Sequence, residues 1–296
     1  MNRIITLSPQ NFNDYELLDC GSFEKLERFG KYISIRPEPQ AVWDRKWSST
    51  EWNKRAHLRF TPTSSSSGKW SHIKESPEQW NISYQLPDAS RMIFRLGLTS
   101  FKHVGIFPEQ AANWDYIFNA VKGLKKSGVA NPKVLNLFAY TGGASLAASL
   151  AGADVTHVDS IKQVVTWANE NAHLSQLSNI RWVVEDALKF VKREHKRGNT
   201  YHGIILDPPA FGHGPNGEKW KLEDHINEMV QLVLQLLGGK THFLILNAYS
   251  LGLSSIILEN LLLEKAGKHL EIGELYLPSA SGYKLPLGVF GRFYIP

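Results

Sequence analysis

Cysteine, metal-binding histidine spacings and long apolar runs are all scarce in this 296-residue sequence. The single cysteine, Cys20, excludes an intrachain disulfide framework and a cysteine-rich metal site, and it fits a reducing cytoplasm. The eleven histidines show no H-x-x-x-H or H-E-x-x-H spacing, so we predict no bound metal. No apolar run approaches the roughly 20 residues that span a bilayer, and the first residues lack a signal-peptide core. We therefore expect a cytoplasmic protein without a membrane segment.

The charged residues are unevenly distributed along the chain, whose formal net charge is +5. Between residues 36 and 74, eight basic residues stand against three acidic ones, and Trp43, Trp47, Trp52 and Trp70 are interleaved with them. Cations for phosphates and rings for bases are the two parts of a single-stranded nucleic-acid site. A small β-domain with buried tryptophans and a solvated basic face explains the same pattern. This stretch alone favours neither interpretation.

Hydrophobic periodicity divides the chain near residue 100. Residues 1–100 contain short extended runs with period-two alternation, typical of a smaller β-rich domain. Residues 101–296 alternate strands with helices, which predicts an α/β domain with a parallel sheet covered on both faces. The last two extended runs, 271–277 and 289–295, have no crossover helix between them. They predict an antiparallel hairpin that closes the sheet.

The segment Val134–Ser145 predicts a strand, a tight Gly142-Gly143 turn and a helix. Such a unit places bare backbone at the carboxyl end of a strand, where a nucleotide-like cofactor can bind. The turn lacks the third glycine of G-x-G-x-x-G, a pattern that brings backbone amides close to a pyrophosphate. S-adenosylmethionine has no phosphate, so a loop with fewer glycines is sufficient to bind it.

Two acidic residues stand at the ends of the next two predicted strands. Asp159 ends the second strand, where a carboxylate can accept hydrogen bonds from both hydroxyls of a ribose. Asp186 ends the third strand, where a side-chain acceptor can reach an adenine amino group. Either residue could instead cap the helix that follows it.

The run Asp207-Pro208-Pro209-Ala210-Phe211 follows a fourth apolar strand. Two consecutive prolines fix two φ angles and remove two donors, so the neighbouring carbonyls are held rigid. Rigid acceptors can orient an exocyclic amine for methyl transfer, a reaction that depends on positioning. The ring of Phe211 could stack on the base that carries the amine. The glycine-rich segment 211–217 is either a lid over the acceptor or an ordinary surface loop.

These segments resemble motifs I to IV of the class I S-adenosylmethionine-dependent methyltransferases. With Leu98–Trp114 and Gly282–Gly288, they are similar to the bacterial family that contains the 23S ribosomal RNA 5-methylcytosine methyltransferase of the large subunit. The resemblance implies a doubly wound, mostly parallel sheet with a C-terminal antiparallel hairpin. It also implies S-adenosylmethionine as cofactor and RNA, most simply ribosomal RNA, as substrate. The family's separate RNA-binding module is missing from this sequence.

The resemblance further implies a set of site residues. The cofactor-binding set comprises Phe107, Gln110, Trp114, Asn136, Phe138, Ala139, Tyr140, Thr141, Gly142, Gly143, Asp159, Ser160, Asp186, Ala187 and Asp207. The catalytic set on the methyl-acceptor side comprises Asp207, Pro208, Pro209 and Phe211. Lys284 is expected to lie at the opening of the same site and bind a substrate phosphate. The alternative is a solvated lysine in a surface loop.

One departure from the family limits the chemistry. Carbon 5 of cytosine is a poor nucleophile, and enzymes that methylate it first add a cysteine thiolate to carbon 6. The family's cysteine follows the strand that here begins at Leu244, and this sequence has none there. A nitrogen acceptor on an RNA base is therefore the favoured prediction. The alternatives are a methyltransferase for a small molecule or a protein, and a donor-binding homologue without catalysis; the sequence does not give the oligomeric state.

Overall fold

The computed structural model describes residues 3–64, 67–249 and 252–296, and every structural statement below refers to these ranges. The N-terminal region contains β1 Ile4–Leu7, β2 Tyr15–Gly21, β3 Glu24–Phe29, β4 Tyr32–Pro37, α1 Ser49–Arg55, β5 Leu58–Pro62, β6 Gly68–His72, β7 Gln79–Gln85 and β8 Arg91–Gly97. A short 3₁₀ turn, Pro108–Gln110, then leads into the helix–strand alternation.

The second region supplies the remaining elements. In chain order they are α2 Ala111–Lys126, β9 Lys133–Leu137, α3 Gly143–Leu150, β10 Asp154–Asp159, α4 Lys162–Leu174, β11 Ile180–Val184, α5 Ala187–Lys196, β12 Gly203–Leu206, β13 Phe211–His213, β14 Lys219–Lys221, α6 Leu222–Leu236, β15 His242–Ala248, α7 Ser255–Ala266, β16 Leu270–Pro278 and β17 Lys284–Ile295.

Eight strands form one sheet in the order β1-β16-β17-β15-β12-β9-β10-β11. All neighbours are parallel except the two pairs made by β17, which runs antiparallel to β15 and to β16. The predicted mostly parallel sheet with a closing hairpin is therefore confirmed. The strand order reverses between β9 and β12, which is where open α/β sheets bind ligands beyond the carboxyl ends of their strands.

The central strands β9, β12 and β15 are buried on both faces, as continuous apolar runs in a parallel sheet require. One core lies under α2 and α3, and the other lies under α5, α6 and α7. At the edge of the sheet, β1 pairs in parallel with β16, which the sequence did not predict. The first strand of the chain thus joins the large sheet, although the sequence placed residues 1–100 together in a β-rich region.

The remaining N-terminal strands form a five-stranded sheet, β2-β3-β4-β5-β6, and a separate β7-β8 hairpin. This region contacts the hairpin of β16 and β17 through a backbone bridge between Leu17 and Ser279. The rings of Trp43 and Tyr283 pack with their centroids 5.5 Å apart. The β-rich region therefore lies against the edge of the large sheet at which β15 ends.

The four tryptophans of the basic stretch all make contacts within the protein. The indole N–H of Trp43 donates to the Cys20 carbonyl at 3.0 Å, and that of Trp70 donates to the Phe101 carbonyl at 3.2 Å. Trp52 is fully buried and donates to Asp19 Oδ2 at 2.9 Å. The guanidinium of Arg55 covers the Trp47 ring at 4.6 Å. Trp52 is accordingly part of the β-rich core, as in the second interpretation, whereas the other three rings remain partly exposed.

Several cations of the same stretch are neutralised within the protein. Arg36 is almost fully buried and its Nη2 lies 2.7 Å from Glu27 Oε2. Arg45 and Arg59 both pair with Glu24, at 3.1 and 2.6 Å. Because the acidic partners come from β3, outside the stretch, the local charge excess overstates the positive charge of the surface.

Within the described ranges, no helix combines the length and the apolar character that crossing a membrane requires. The same residues contain no group of three or more histidine, cysteine or carboxylate side chains placed to hold a metal ion.

Candidate methyl-donor site

A cleft opens at the carboxyl ends of β9, β12 and β15. It encloses about 510 Å³ when the open solvent at its mouth is included. Eleven predicted residues line it: Phe107, Gln110, Trp114, Asn136, Phe138, Ala139, Tyr140, Thr141, Gly142, Gly143 and Asp207. The lining also includes residues that sequence reasoning missed, namely Phe94, Ile106, Asn113, Ile117, Ala144, Ile205 and Asn247.

The loop between β9 and α3 forms one wall of this cleft in a strained backbone conformation. Phe138 and Tyr140 have φ angles of 56° and 50°, which non-glycine residues rarely adopt. The loop is held in place from outside: Thr141 Oγ1 donates to the Gly105 carbonyl at 2.7 Å, and Asn171 Nδ2 donates to the Thr141 carbonyl at 2.9 Å. Backbone strain that the surroundings enforce in this way is common at ligand sites.

Glycine is required at the two positions of the loop for different structural reasons. Gly142 has a φ of +93°, a left-handed conformation that glycine adopts without steric cost. A Cβ atom on Gly143 would lie 2.7 Å from the ring of Trp114. The backbone of α3 therefore begins in direct contact with an aromatic ring of α2, and only glycine permits that approach.

Asp159 contacts the loop from the end of β10. Its Oδ2 accepts from the Tyr140 backbone N–H and its Oδ1 from that of Ile161, both at 3.0 Å. Burial raises the pKa of this carboxyl above its usual value. The residue does not cap α4, which begins at Lys162 with Ile161 as its N-cap. Neither Asp159 nor Ser160 is among the residues that line the cleft.

Asp186 is the N-cap of α5, and one of its oxygens accepts from the Lys189 backbone N–H at 2.9 Å. The capping alternative considered for this residue is therefore observed. Ala187 is the first residue of α5 and is buried. Both residues lie outside the cleft lining, so the cleft does not extend along the whole predicted cofactor path.

The Asp-Pro-Pro segment leaves β12 at the base of the cleft, and only Asp207 lines it. Burial raises the pKa of the Asp207 carboxyl to about 7. The Pro209 carbonyl accepts from the indole N–H of Trp220 at 2.7 Å, which anchors the segment to the β13–β14 hairpin. Phe211 begins that hairpin, and 69% of its surface is exposed. The glycine-rich segment after it is thus a short hairpin beside the site.

Lys284 lies away from the residues that line the cleft. It is the first residue of β17, paired with Pro278, and its Nζ lies over the Tyr276 ring at 5.0 Å. Its strand extends beyond Val289, the partner of Ala248 at the end of β15. The lysine therefore lies at the edge of the sheet at which the cleft opens, but it does not line the cleft.

A buried polar chain supports β9 from beneath. Asn136 Nδ2 donates to Ser145 Oγ at 2.9 Å, and that hydroxyl lies 3.0 Å from His157 Nδ1. Complete burial lowers the pKa of His157 to about 3, so the imidazole is neutral. These hydrogen bonds hold the Asn136 side chain, which lines the cleft, and they place no charge next to the cleft.

Comparison with known proteins identifies the family. The chain matches the family described as Conserved hypothetical protein 95 over residues 101–233. It is 37% identical to the S-adenosylmethionine-dependent methyltransferase of Agrobacterium tumefaciens, with a TM-score of 0.90 over 100% of this chain and 98% of that one. The chain belongs to the S-adenosylmethionine-dependent methyltransferases. The predicted cofactor and enzyme class are therefore confirmed.

The methyltransferase is also related to curated ribosomal RNA enzymes. It is 32% identical over 150 residues to the ribosomal RNA large subunit methyltransferase K/L of Shewanella frigidimarina, a match that covers 49% of this chain. The chain spans only about a fifth (20%) of that relative's length. SMU.776, solved in complex with S-adenosylhomocysteine, shares the fold at 19% identity, with a TM-score of 0.70 over 96% of this chain and 76% of that one.

The cleft fits S-adenosylmethionine as its resident cofactor. Its walls are mainly apolar and aromatic, with a few amides and one carboxyl, as small-molecule sites usually are. The strained loop 138–143 lines the cleft where β9 ends. When bound, the cofactor supplies an activated methyl group, so the protein has to bind it and position the acceptor.

Proposed function

We propose that this methyltransferase transfers the methyl group to a nitrogen atom of an RNA base, with ribosomal RNA as its substrate and the cytoplasm as its place of action. The names of the curated relatives support the RNA substrate. The resemblance to the 5-methylcytosine family supports the same substrate class, but the chemistry of that family requires a cysteine.

The observation that carries the choice of nitrogen is the position of Cys20, the only cysteine in the sequence. It lies in β2 and is fully buried, away from the cleft lining. Burial raises the pKa of its thiol to about 12, so it remains protonated at neutral pH. A protonated, inaccessible thiol cannot add to a pyrimidine. A base nitrogen has its own lone pair and needs no such addition.

In this proposal the backbone of Phe138–Gly143 holds the methionine portion. Asp159 binds the ribose with Ser160 beside it, and Asp186 binds the adenine with Ala187 beside it. The contacts of the two carboxylates support these roles. Asp159 accepts from the backbone N–H groups of Tyr140 and Ile161, whereas a carboxylate has about four acceptor positions. Asp186 uses one oxygen for capping, so its other oxygen is available for the adenine amino group.

On the acceptor side, we assign Asp207 as the group that receives a proton. A pKa of about 7 suits a general base at neutral pH, because the carboxylate is populated and still binds a proton well. As the acceptor amine forms its new N–C bond and the S–CH₃ bond of the donor breaks, the N–H proton of the amine would pass to a carboxyl oxygen of Asp207, and S-adenosylhomocysteine would leave with the electron pair on sulfur. Pro208 and Pro209 hold the backbone of this segment rigid. The exposed ring of Phe211 is available to stack on the acceptor base.

Lys284 keeps a more distant role in the proposal. It is exposed on the edge of the sheet to which the cleft opens, so it is our candidate for contact with a phosphate that flanks the acceptor nucleotide. Phosphate contacts of this kind weaken as the salt concentration rises.

The test is methylation of total RNA with isotope-labelled donor, followed by nucleoside mass spectrometry. We expect labelled N-methyl nucleosides. In Asp207→Asn the rate of methyl transfer should fall at least about 100-fold, because the general base is removed. Asp115→Asn removes a carboxylate that lies outside the cleft, so this control variant should keep its methylation activity. Label in protein instead of RNA would contradict the substrate class. A 5-methylcytosine product that survives Cys20→Ser would contradict the choice of nitrogen.

A further inference from the structure

Three amide side chains meet at one side of the cleft and form a closed hydrogen-bonded group. Asn113 Nδ2 donates to Gln110 Oε1 at 3.0 Å and to Asn247 Oδ1 at 2.9 Å. Asn247 Nδ2 donates to Gln110 Oε1 at 3.3 Å. Behind them, Arg292 Nη1 donates to Asn113 Oδ1 at 3.2 Å. All three amides line the cleft, whereas Arg292 lies outside it.

The arginine determines the orientation of every amide in this group. A guanidinium has only donors, so the Asn113 atom that faces it must be the oxygen. The Asn113 amino group then faces the other two side chains, and each must present an oxygen to it. With its oxygen so placed, Asn247 turns its own amino group to Gln110. Any flipped amide would bring two donors together.

Arg292 is itself held firmly. It is on β17 and only 7% exposed. Its Nε donates to Glu271 Oε2 at 2.9 Å, and its guanidinium carbon lies 4.0 Å from the centroid of the Tyr116 ring. An arginine constrained by an ion pair, a ring and an amide cannot easily turn to a different partner.

The consequence is that Gln110 presents its amino group, and not its oxygen, to the open part of the cleft. Within the described ranges no acceptor is recorded for Gln110 Nε2. Asp207 also lines the cleft, but within the described ranges no hydrogen bond joins its carboxyl to Gln110. The amino end of α3, whose first residues Gly143 and Ala144 line the cleft, has no side-chain cap. This helix end and the unpaired donor of Gln110 both favour an anionic ligand group.

We propose that Arg292 is a positioning residue for the methyl donor: it orients Gln110 so that the amide N–H groups bind the α-carboxylate of the methionine portion. The carboxylate is the only anionic group in S-adenosylmethionine, and it matches a donor that no protein acceptor satisfies. This inference rests on the donor site described above and is independent of the identity of the methyl acceptor.

The experiment compares two ligands by calorimetry. S-adenosylhomocysteine carries the carboxylate, and 5′-methylthioadenosine shares the adenosine and the sulfur but lacks the amino-acid end. In Arg292→Met, we expect the affinity for S-adenosylhomocysteine to fall about tenfold or more, because a hydrogen bond to a charged group is lost. The affinity for 5′-methylthioadenosine should stay within about twofold of wild type. A purely structural defect would weaken both ligands equally, and that result would overturn the proposal, as would unchanged S-adenosylhomocysteine binding.

Two further variants keep the test decisive. Gln110→Glu preserves size but replaces the donor by an anion, so it should lose S-adenosylhomocysteine selectively even if Arg292→Met folds poorly. Glu271→Gln removes the outer partner of Arg292 and leaves the amide group intact, so it should bind both ligands like wild type. Selective loss in Glu271→Gln, or none in Gln110→Glu, would contradict the assignment. Normal ligand binding without RNA methylation would contradict the proposed substrate only.

Discussion

The ionisation of Asp207 should make the affinity for S-adenosylmethionine depend on pH. Burial raises the pKa of this carboxyl to about 7, so it is largely protonated in the free protein below that pH. S-adenosylmethionine carries a positive sulfonium, whereas S-adenosylhomocysteine has a neutral sulfur. A carboxylate in the same cleft stabilises the cation and has little effect on the neutral sulfide. Raising the pH through about 7 should therefore strengthen binding of the methyl donor relative to the product.

The magnitude follows from the fraction of Asp207 that is ionised. With a pKa of about 7, that fraction is roughly three quarters at about pH 7.5 and a few per cent at about pH 5.5. If the cation binds only to the ionised form, the ratio of the two affinities changes by about 20-fold over this range, or about 1.8 kcal/mol. No histidine lines the cleft in the described part of the chain, so imidazole titration does not contribute there directly.

Calorimetric titration of both ligands across this pH range measures the ratio. In Asp207→Asn the ratio should be independent of pH. Asp115→Asn is the matched control, since the pKa of Asp115 is also raised by burial but its Oδ2 accepts from the Tyr84 hydroxyl outside the cleft. That variant should keep the wild-type pH dependence. A ratio that stays constant in the wild type, or that still changes in Asp207→Asn, would refute the reasoning.

Three other substitutions test packing and buried polar contacts, one at the cleft and two in the β-rich region. Gly143→Ala should lower the stability by about 1–3 kcal/mol and weaken S-adenosylhomocysteine binding, because its Cβ would lie 2.7 Å from the Trp114 ring; unchanged thermal unfolding would contradict this. Asp19→Ala should cost about 3 kcal/mol or more in urea unfolding, since the buried carboxylate accepts from the Trp52 indole and two backbone N–H groups. The exposed Asp44→Ala should change the same free energy by less than about 0.5 kcal/mol. Arg36→Met should destabilise by about 3–5 kcal/mol because it leaves Glu27 buried with a weaker partner, and adding Glu27→Gln should recover part of that loss; no recovery would show that the ion pair is not the cause.

Much of the site could be predicted from the sequence because its residues follow strand ends. The carboxyl ends of parallel strands meet at one edge of a sheet, so residues after β9 and β12 had to lie together. The loop 138–143 and Asp207 line one cleft for this reason. The same reasoning placed Asp159 and Asp186 beside the helices that follow them, but it could not show how far the cleft extends toward these two residues.

Residues on other elements had no comparable local signal. Asn113 and Asn247 are 134 positions apart, and each looks like an ordinary polar residue in an apolar segment. Their role depends on the packing of α2 against the end of β15 and on an arginine near the C-terminus. The sequence likewise gives no local signal for the pairing of strand Ile4–Leu7, because its partner β16 begins only at Leu270.

The sequence by itself determined the α/β alternation, the closing hairpin, the position of the donor loop and the absence of a cysteine for carbon-5 chemistry, since each is a local pattern or a count. Only the tertiary structure decided which charges and rings remain available. The basic, tryptophan-rich stretch is paired with Glu24, Glu27 and Asp19 from other strands. The pKa of Asp207 and the orientation of Gln110 were decided there too, because desolvation and hydrogen-bond direction depend on neighbours that are distant in the chain.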